Sequence, residues 1–455
     1  AGILTPKEML EGFSNKGMIT VALLFLVSEG IRQSGTLGQV IKKLLPQGKT
    51  TVFKAQLRIL PSVAFISAFL NNTPVVVIFA PIIKHWAKSV NLPATKFLIP
   101  LSYVTILGGI CTLIGTSTNL VVHGMILEAG FEGFSMFELG KVGIFIAIAG
   151  IIYIFLFSKR LLPDARPDTA VPDEEVEEGE KLHRVEAILG ARFPGINKKL
   201  KDFNFQRHYG AEVKEIKTRN GQRFVTNLED VVLHEGDTLV VMADDTFIPT
   251  WGESSVFVLL TNGNEPDTTG KKKRWFALLL LVLMIVGATV GELPVTKEMF
   301  PDIKLDMFFF VSITTIIMAW TNLFPARKYT KYISWDILIT IACAFAISKA
   351  MVNSGVADSV AKFIIGLSDD YGPHVLLAML FIITNLFTEL ITNNAAAALA
   401  FPLALSIASQ LGVSPTPFFV VICMAASASF STPIGYQTNL IVQGIGNYKF
   451  TDFVR

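Results

Sequence analysis

The chain has 455 residues, 51% of them hydrophobic and 17% charged, with a mean hydropathy of +0.52. That charged share lies well below the roughly 25% of ordinary soluble domains, so a purely soluble globular protein is excluded. A formal net charge of +2 gives no basis for nucleic-acid binding. Cys111, Cys343 and Cys423 lie far apart in apolar runs and read as small buried hydrophobes, not as a disulfide or metal set.

The opening "AGILTPKEML" lacks the basic head and apolar stretch of a signal peptide. The first apolar run is "MITVALLFLVSEGIRQSG" (Met18–Gly35), with Glu29 near its end, facing an interface. Arg32, Lys42, Lys43, Lys49, Lys54 and Arg58 follow and mark a cytoplasmic side. "RILPSVAFISAFL" then leads to Asn71, Asn72 and Thr73, and "PVVVIFAPIIKHW" leads away. Each arm is too short to span a bilayer, so residues near 59–88 read as a re-entrant hairpin. Such backbone is tolerated at membrane depth only where protein or a water-filled cavity covers it. "GTSTN" (Gly115–Asn119) breaks the next apolar run, and "VGIFIAIAGIIYIFLF" (Val142–Phe157) reads as a membrane span.

From about Leu162 to Gly270 the chain turns polar, opening with the acidic linker "PDTAVPDEEVEEGEK". "AEVKEIKT" and "TLVVMA" read as strands, "INKKLKDFNF" as helical, and "RNGQ" and "EGD" as turns. A small α+β domain is therefore inserted, with a core at about 181–248. "EPDTTGKK" lacks the first glycine of a phosphate loop. Apolar runs resume at Trp275–Gly291 and around "DMFFFVSITTIIMAW".

The remainder repeats the beginning. "ILITIACAFAISKAMVNSG" (Ile337–Gly355) answers Met18–Gly35, "TELITNN" (Thr388–Asn394) answers "SAFLNNT" (Ser67–Thr73), and "IGYQTNLIV" (Ile434–Val442) answers "IGTSTNLVV" (Ile114–Val122). The offsets are 320 or 321 positions. Residues 373–408 form the second hairpin. Lys159, Arg160 and "KKKR" (Lys271–Arg274) place the inserted domain in the cytoplasm, and Arg327, Lys328 and Lys331 put the entry of the second repeat there too. Five spans separate the two starts, an odd number, so the repeats are inverted, as in secondary transporters. The fold class is an all-α polytopic membrane transporter with inverted repeats, two re-entrant hairpins, broken helices and an inserted small α+β cytosolic domain. Its parts are residues 1–161, 162–273 and 274–455.

Broken helices expose amides and carbonyls at their ends. Hydroxyl, amide and carbonyl oxygens suit a small hard cation, and helix N-termini suit an anion. None of the four motifs contains Arg or Lys, so bound cations must help balance a multivalent anion. That points to cation-coupled anion transport. Sodium fits better than a proton, because Glu389 is the only titratable group in the motifs and Ala68 stands opposite it in the first repeat. Glu389 reads as a structural acid bonded to backbone. Asn and Thr can also glue helices together, but four motifs at matched offsets weigh against that alone. Asn71 heads a glycosylation sequon, unreachable at membrane depth. The six histidines are scattered.

These tips and breaks resemble the divalent anion–sodium symporters of the ion-transporter superfamily, across both membrane halves. "YGAEVKEI" and "LHEGDTLVVMA" look like a TrkA-C module, and the combination is similar to sodium/sulfate symporters of algae and bacteria. The resemblance implies one sodium site from Ser67, Asn71, Asn72 and Gly115, and another from Thr388, Thr392, Asn393 and Gly435. The anion would touch Asn72, Thr73, Thr116, Asn393, Asn394 and Tyr436. It further implies a homodimer in the plasma membrane, a small ligand for the cytosolic domain, and helices before "GFSNKG" and after "NYKFTDFVR". The family carries Ser-Asn-Thr at both tips, a pattern absent here, so the substrate stays open among sulfate, other oxyanions and dicarboxylates. Proton coupling, a regulated channel and a sensor are the alternatives. A "TVGYG" filter is not found, nor is an enzyme's nucleophile–base constellation.

Overall fold

The computed structural model describes residues 2–164, 182–190, 192–218, 222–244, 247–251, 256–261, 271–300, 303–366 and 372–454. The acidic linker, the 219–221 part of the "RNGQ" turn and most of "EPDTTGKK" lie outside them.

A short helix, Pro6–Glu11, opens with a capping box between Thr5 and Glu8. Seven longer helices follow before the inserted domain: α1 (Lys16–Gln33), α2 (Thr36–Leu44), α3 (Val52–Ser67), α4 (Asn72–Ser89), α5 (Leu98–Gly109), α6 (Ser117–Glu128) and α7 (Gly140–Leu161). Five antiparallel strands come next: β1 (His183–Leu189), β2 (Glu212–Lys217), β3 (Arg223–Phe224), β4 (Thr238–Ala243) and β5 (Phe257–Thr261), ordered β3-β2-β4-β1-β5. The helical part resumes with α8 (Lys271–Gly291), α9 (Met307–Trp320), α10 (Trp335–Asn353), α11 (Val356–Gly366), α12 (Pro373–Leu390), α13 (Asn393–Leu411), α14 (Thr416–Ser427) and α15 (Gln437–Gly446).

The described residues contain five helices long and apolar enough to cross a bilayer, and Ala326–Tyr332 meets Ile337–Asn353 at a 56° bend, the geometry of a broken span or a re-entrant loop. Helix α7 shows what holds these helices in lipid. Gly143, Ala147, Ile154 and Ser158 form its buried stripe, while Phe145 (73% exposed) and Leu156 (68%) point outward with Ile148 and Ile152. Apolar side chains left outside suit hydrocarbon, and the small residues permit close helix approach. Helix α13 is the opposite case. It is buried along Ala396, Ala397, Ala398 and Ala400, and this alanine face lets α6, α10 and α14 pack around it. Glu29 pairs with Arg32 of its own helix at 2.7 Å.

Strands β2 and β4 fall where the β-branched runs predicted them. Strands β1 and β5, not singled out from sequence, complete the sheet. "INKKLKDFNF" differs from the expected helix. Asn197 takes a positive φ of 61°, Lys199 bridges to Val232, Leu200–Asp202 makes a single 3-10 turn, and the α-helix is confined to Phe205–Tyr209. Pairing to the 231–233 segment wins over local helical pattern. Alternation along β1 sends Val185, Ala187 and Leu189 into the sheet domain's own core, and Ile188 into the core of the membrane helices. The inserted domain is thus packed directly against the helical part.

Candidate functional site

Two helix–break–helix units carry the polar tips. Helix α3 ends at Ser67, and α4 starts at Asn72 with Asn71 as its N-cap. Helix α12 ends at Leu390, and α13 starts at Asn393 with Thr392 as its N-cap. The two tips share one bonding scheme. Ser67 Oγ donates to Asn72 Oδ1 (2.8 Å) and lies 2.9 Å from the Thr105 carbonyl. Thr388 Oγ1 lies 2.8 Å from Asn393 Oδ1 and 2.6 Å from the Ala426 carbonyl. Every partner in the second set stands 321 positions after its counterpart in the first.

The glycine breaks match as well. Between α5 and α6 the chain unwinds over 110–116, and between α14 and α15 over 428–436. Asn119 Nδ2 donates to the carbonyls of Gly109 (3.3 Å) and Thr112 (2.9 Å). Asn439 Nδ2 donates to those of Ser429 (2.9 Å) and Thr432 (3.1 Å). Each asparagine ties down the freed carbonyls of its own break. The sequence contained this signal, since Asn119 and Asn439 close the "GTSTN" and "GYQTN" motifs, but their role needed the fold to be seen.

The halves then cross. Asn72 Nδ2 donates to Tyr436 Oη at 2.6 Å, and that hydroxyl lies 3.2 Å from Thr116 Oγ1. Asn393 also reaches the Tyr436 hydroxyl. Thr73 Oγ1 donates to Gln437 Oε1 at 3.2 Å. In mirror fashion, Ser117 and Thr118 hydroxyls donate to Asn394 Oδ1 at 3.2 and 3.3 Å. The tip of each half therefore bonds the break of the other.

Four helix N-termini meet at this point, those of α4, α6, α13 and α15. None of their N-cap residues, Asn71, Thr116, Thr392 and Tyr436, bonds a first-turn amide with its side chain. Their N–H groups and dipoles add positive potential, in a place that Asn72, Thr116, Asn394 and Tyr436 keep buried. Such a cluster of helix N-termini could hold an anion, flanked here by neutral amide and hydroxyl groups.

The residues implied as ligands do not all converge. Ser67, Asn72, Thr73, Thr116, Asn393, Asn394 and Tyr436 belong to this network, and Thr388 joins it through Asn393. Gly115 packs against Gly109, whose own added Cβ would sit 2.5 Å from Asn72 Oδ1. Asn71 instead lines a small pocket with Ser28, Ser117 and apolar side chains of α1 and α8. Thr392 is exposed. Gly435 N donates to Thr432 Oγ1 at 3.0 Å, within the second break.

A profile of the citrate-transporter family matches residues 1–412 and 303–455. An uncharacterized transporter of Synechocystis sp. is 30% identical over 540 residues, covering 100% of this chain and 88% of the relative. Sodium/sulfate cotransporter 2 of Chlamydomonas reinhardtii is 31% identical over 272 residues, covering 60% of this chain and 30% of that protein. The Na(+)/citrate cotransporter of Rattus norvegicus is 28% identical over 123 residues, covering 27% of this chain and 21% of its own length. The chain is a multi-pass membrane transporter, and it belongs to the citrate-transporter (CitMHS) family.

Proposed function

We propose that this transporter is a sodium-coupled symporter of a divalent oxyanion, sulfate first. The observation that carries the reading is the meeting of four helix N-termini from both halves, joined by the Asn72–Tyr436 and Ser117–Asn394 bonds. An anion there gains from four dipoles and free amides. With no Arg or Lys in the motifs, sodium ions held by Ser67, Asn72, Thr388 and Asn393 oxygens supply the remaining positive charge. The sodium/sulfate cotransporter among the relatives supports this pairing.

The matched tips and breaks act as inverted repeats, with α3–α4 and α12–α13 as re-entrant hairpins. They move as an elevator against the lipid-facing helices. Roughly three sodium ions per divalent anion would carry one net charge inward, worth about 2.3 kcal/mol per 100 mV. The protein works as a homodimer in the plasma membrane, and its inserted sheet is a TrkA-C-like cytosolic module that binds a small ligand.

Uptake of radiolabelled sulfate into proteoliposomes, with sodium replaced by choline in one arm and citrate as competitor in another, tests the reading. Sodium-driven sulfate uptake that citrate leaves intact is expected. Equal uptake with and without sodium refutes the coupling, and displacement by citrate reassigns the substrate.

A further inference from the structure

The two repeats are not chemically equal beside their glycine breaks. Ala68, Gly109 and Thr112 in the first repeat correspond to Glu389, Ser429 and Thr432 in the second. In the first, Thr112 Oγ1 donates to the Ala68 carbonyl, and none of these three residues carries a charge. In the second, the carboxylate of Glu389 takes over. Its Oε1 accepts from the Ser431 amide at 3.1 Å and its Oε2 from Thr432 Oγ1 at 2.7 Å.

Three side-chain oxygens cluster against the α-carbon of Gly435. A Cβ built there would lie 3.0 Å from Thr432 Oγ1 and 3.2 Å from Glu389 Oε2, and would collide with Ser429 Oγ. Ser429 is fully buried, yet its hydroxyl has no hydrogen-bond partner. A buried hydroxyl without a partner is unfavourable unless something else takes up its lone pairs. Thr388, the preceding residue on α12, points away toward Asn393 and Ala426. The cluster around Glu389 therefore lies beside the Thr388–Asn393 pair, not within it.

We propose that Glu389, Ser429 and Thr432 form an additional binding site for a monovalent cation, sodium, present in the second repeat only. One carboxylate balances one positive charge, and two hydroxyls supply further hard oxygen ligands. Gly435 lets the Ser429 hydroxyl approach the backbone, because any side chain there would strike it. This rests on the sodium-coupled reading above and deepens it. The second repeat binds a sodium ion that the first cannot, so coupling is asymmetric between the halves.

The test uses the full chain. Thermal stability is titrated with sodium chloride against choline chloride for wild type, Glu389→Gln, Ser429→Ala and Asn72→Ala, and the sodium-to-anion ratio is measured from zero-flux potentials in proteoliposomes. Glu389→Gln is expected to raise the half-saturating sodium concentration by at least about 10-fold, the least that losing even a partner of a metal's ligands costs, and to remove one sodium ion from the ratio. Ser429→Ala, a small truncation that keeps the carboxylate, should weaken sodium in the same direction and serves if Glu389→Gln does not fold. Wild-type sodium dependence that Asn72→Ala disturbs but Glu389→Gln and Ser429→Ala leave unchanged overturns this site while the sodium-coupled reading stands. Absence of any sodium effect in wild type overturns both. Stabilisation by calcium instead of sodium overturns the assignment of the ion.

Discussion

Asn72 and Tyr436 are 364 positions apart in sequence, yet the Asn72 amide donates to the Tyr436 hydroxyl at 2.6 Å, both side chains being buried. The bond ties the tip of α4 to the break before α15, and so joins the two halves at the point where their helix N-termini meet. The Tyr436 hydroxyl also meets Thr116, which makes it the hub of the contact.

Tyr436→Phe removes that hub and little volume. It leaves the Asn72 amide and Thr116 hydroxyl short of a partner, at a cost of about 1–3 kcal/mol. Sulfate uptake kinetics should show KM raised by about tenfold or more, with melting temperature only modestly lowered. Unchanged KM would separate this hydroxyl from anion binding.

Gly109→Ala tests close approach without removing any polar group. The new Cβ would fall 2.5 Å from Asn72 Oδ1 and 3.0 Å from Asn72 Nδ2, and it cannot yield because α5 packs against α4. Asn72 must swing out, breaking its bonds to Ser67 and Tyr436. Sodium-dependent uptake should fall about as far as in Asn72→Ala. Retention of full uptake would mean that Asn72 can relax without loss.

The inserted sheet docks on the tip helices, and pH should loosen it. Lys84 of α4 and Lys217 of β2 each lie 3.3 Å from the Glu186 carboxylate of β1. Burial pushes the Glu186 carboxyl up, but the two ammonium groups outweigh it and hold it at about 2, below its ordinary 4.5. An acid depressed in this way contributes stability that is complete above 4.5 and is lost as pH falls toward 2. The protection factors of the β1 amides, that is exchange corrected for its intrinsic pH dependence, should fall over that window in wild type and stay level in Glu186→Gln. Gly444→Val should open the same contact at neutral pH, because its Cβ would meet Ile188 Cδ1 and Thr238 Oγ1 at 2.9 Å each.

Much of this protein could be read along the chain. Long apolar runs with few charges require a bilayer, and the polar tips and glycine breaks recurring at one offset show a duplication. The strands of "AEVKEIKT" and "TLVVMA" follow from alternation and β-branched side chains. These are local signals, set by the hydropathy and geometry of neighbouring residues. What surrounds each motif was not local. That each tip bonds the other half's break, through Asn72 to Tyr436 and Ser117 to Asn394, follows from how α4 packs on α15 and α6 on α13. The turn at Asn197, in place of a helix, was decided by pairing with residues more than thirty positions away. Glu389 reads from sequence as a lone structural acid bonded to backbone; its donors are one backbone amide, Ser431, and one side-chain hydroxyl, Thr432. Only the fold placed the unpartnered Ser429 hydroxyl beside it. Sequence determined which elements form and that they come in pairs, because periodicity and polarity act over one or two turns. Tertiary packing decided which oxygens share a volume, because that depends on contacts between residues hundreds of positions apart.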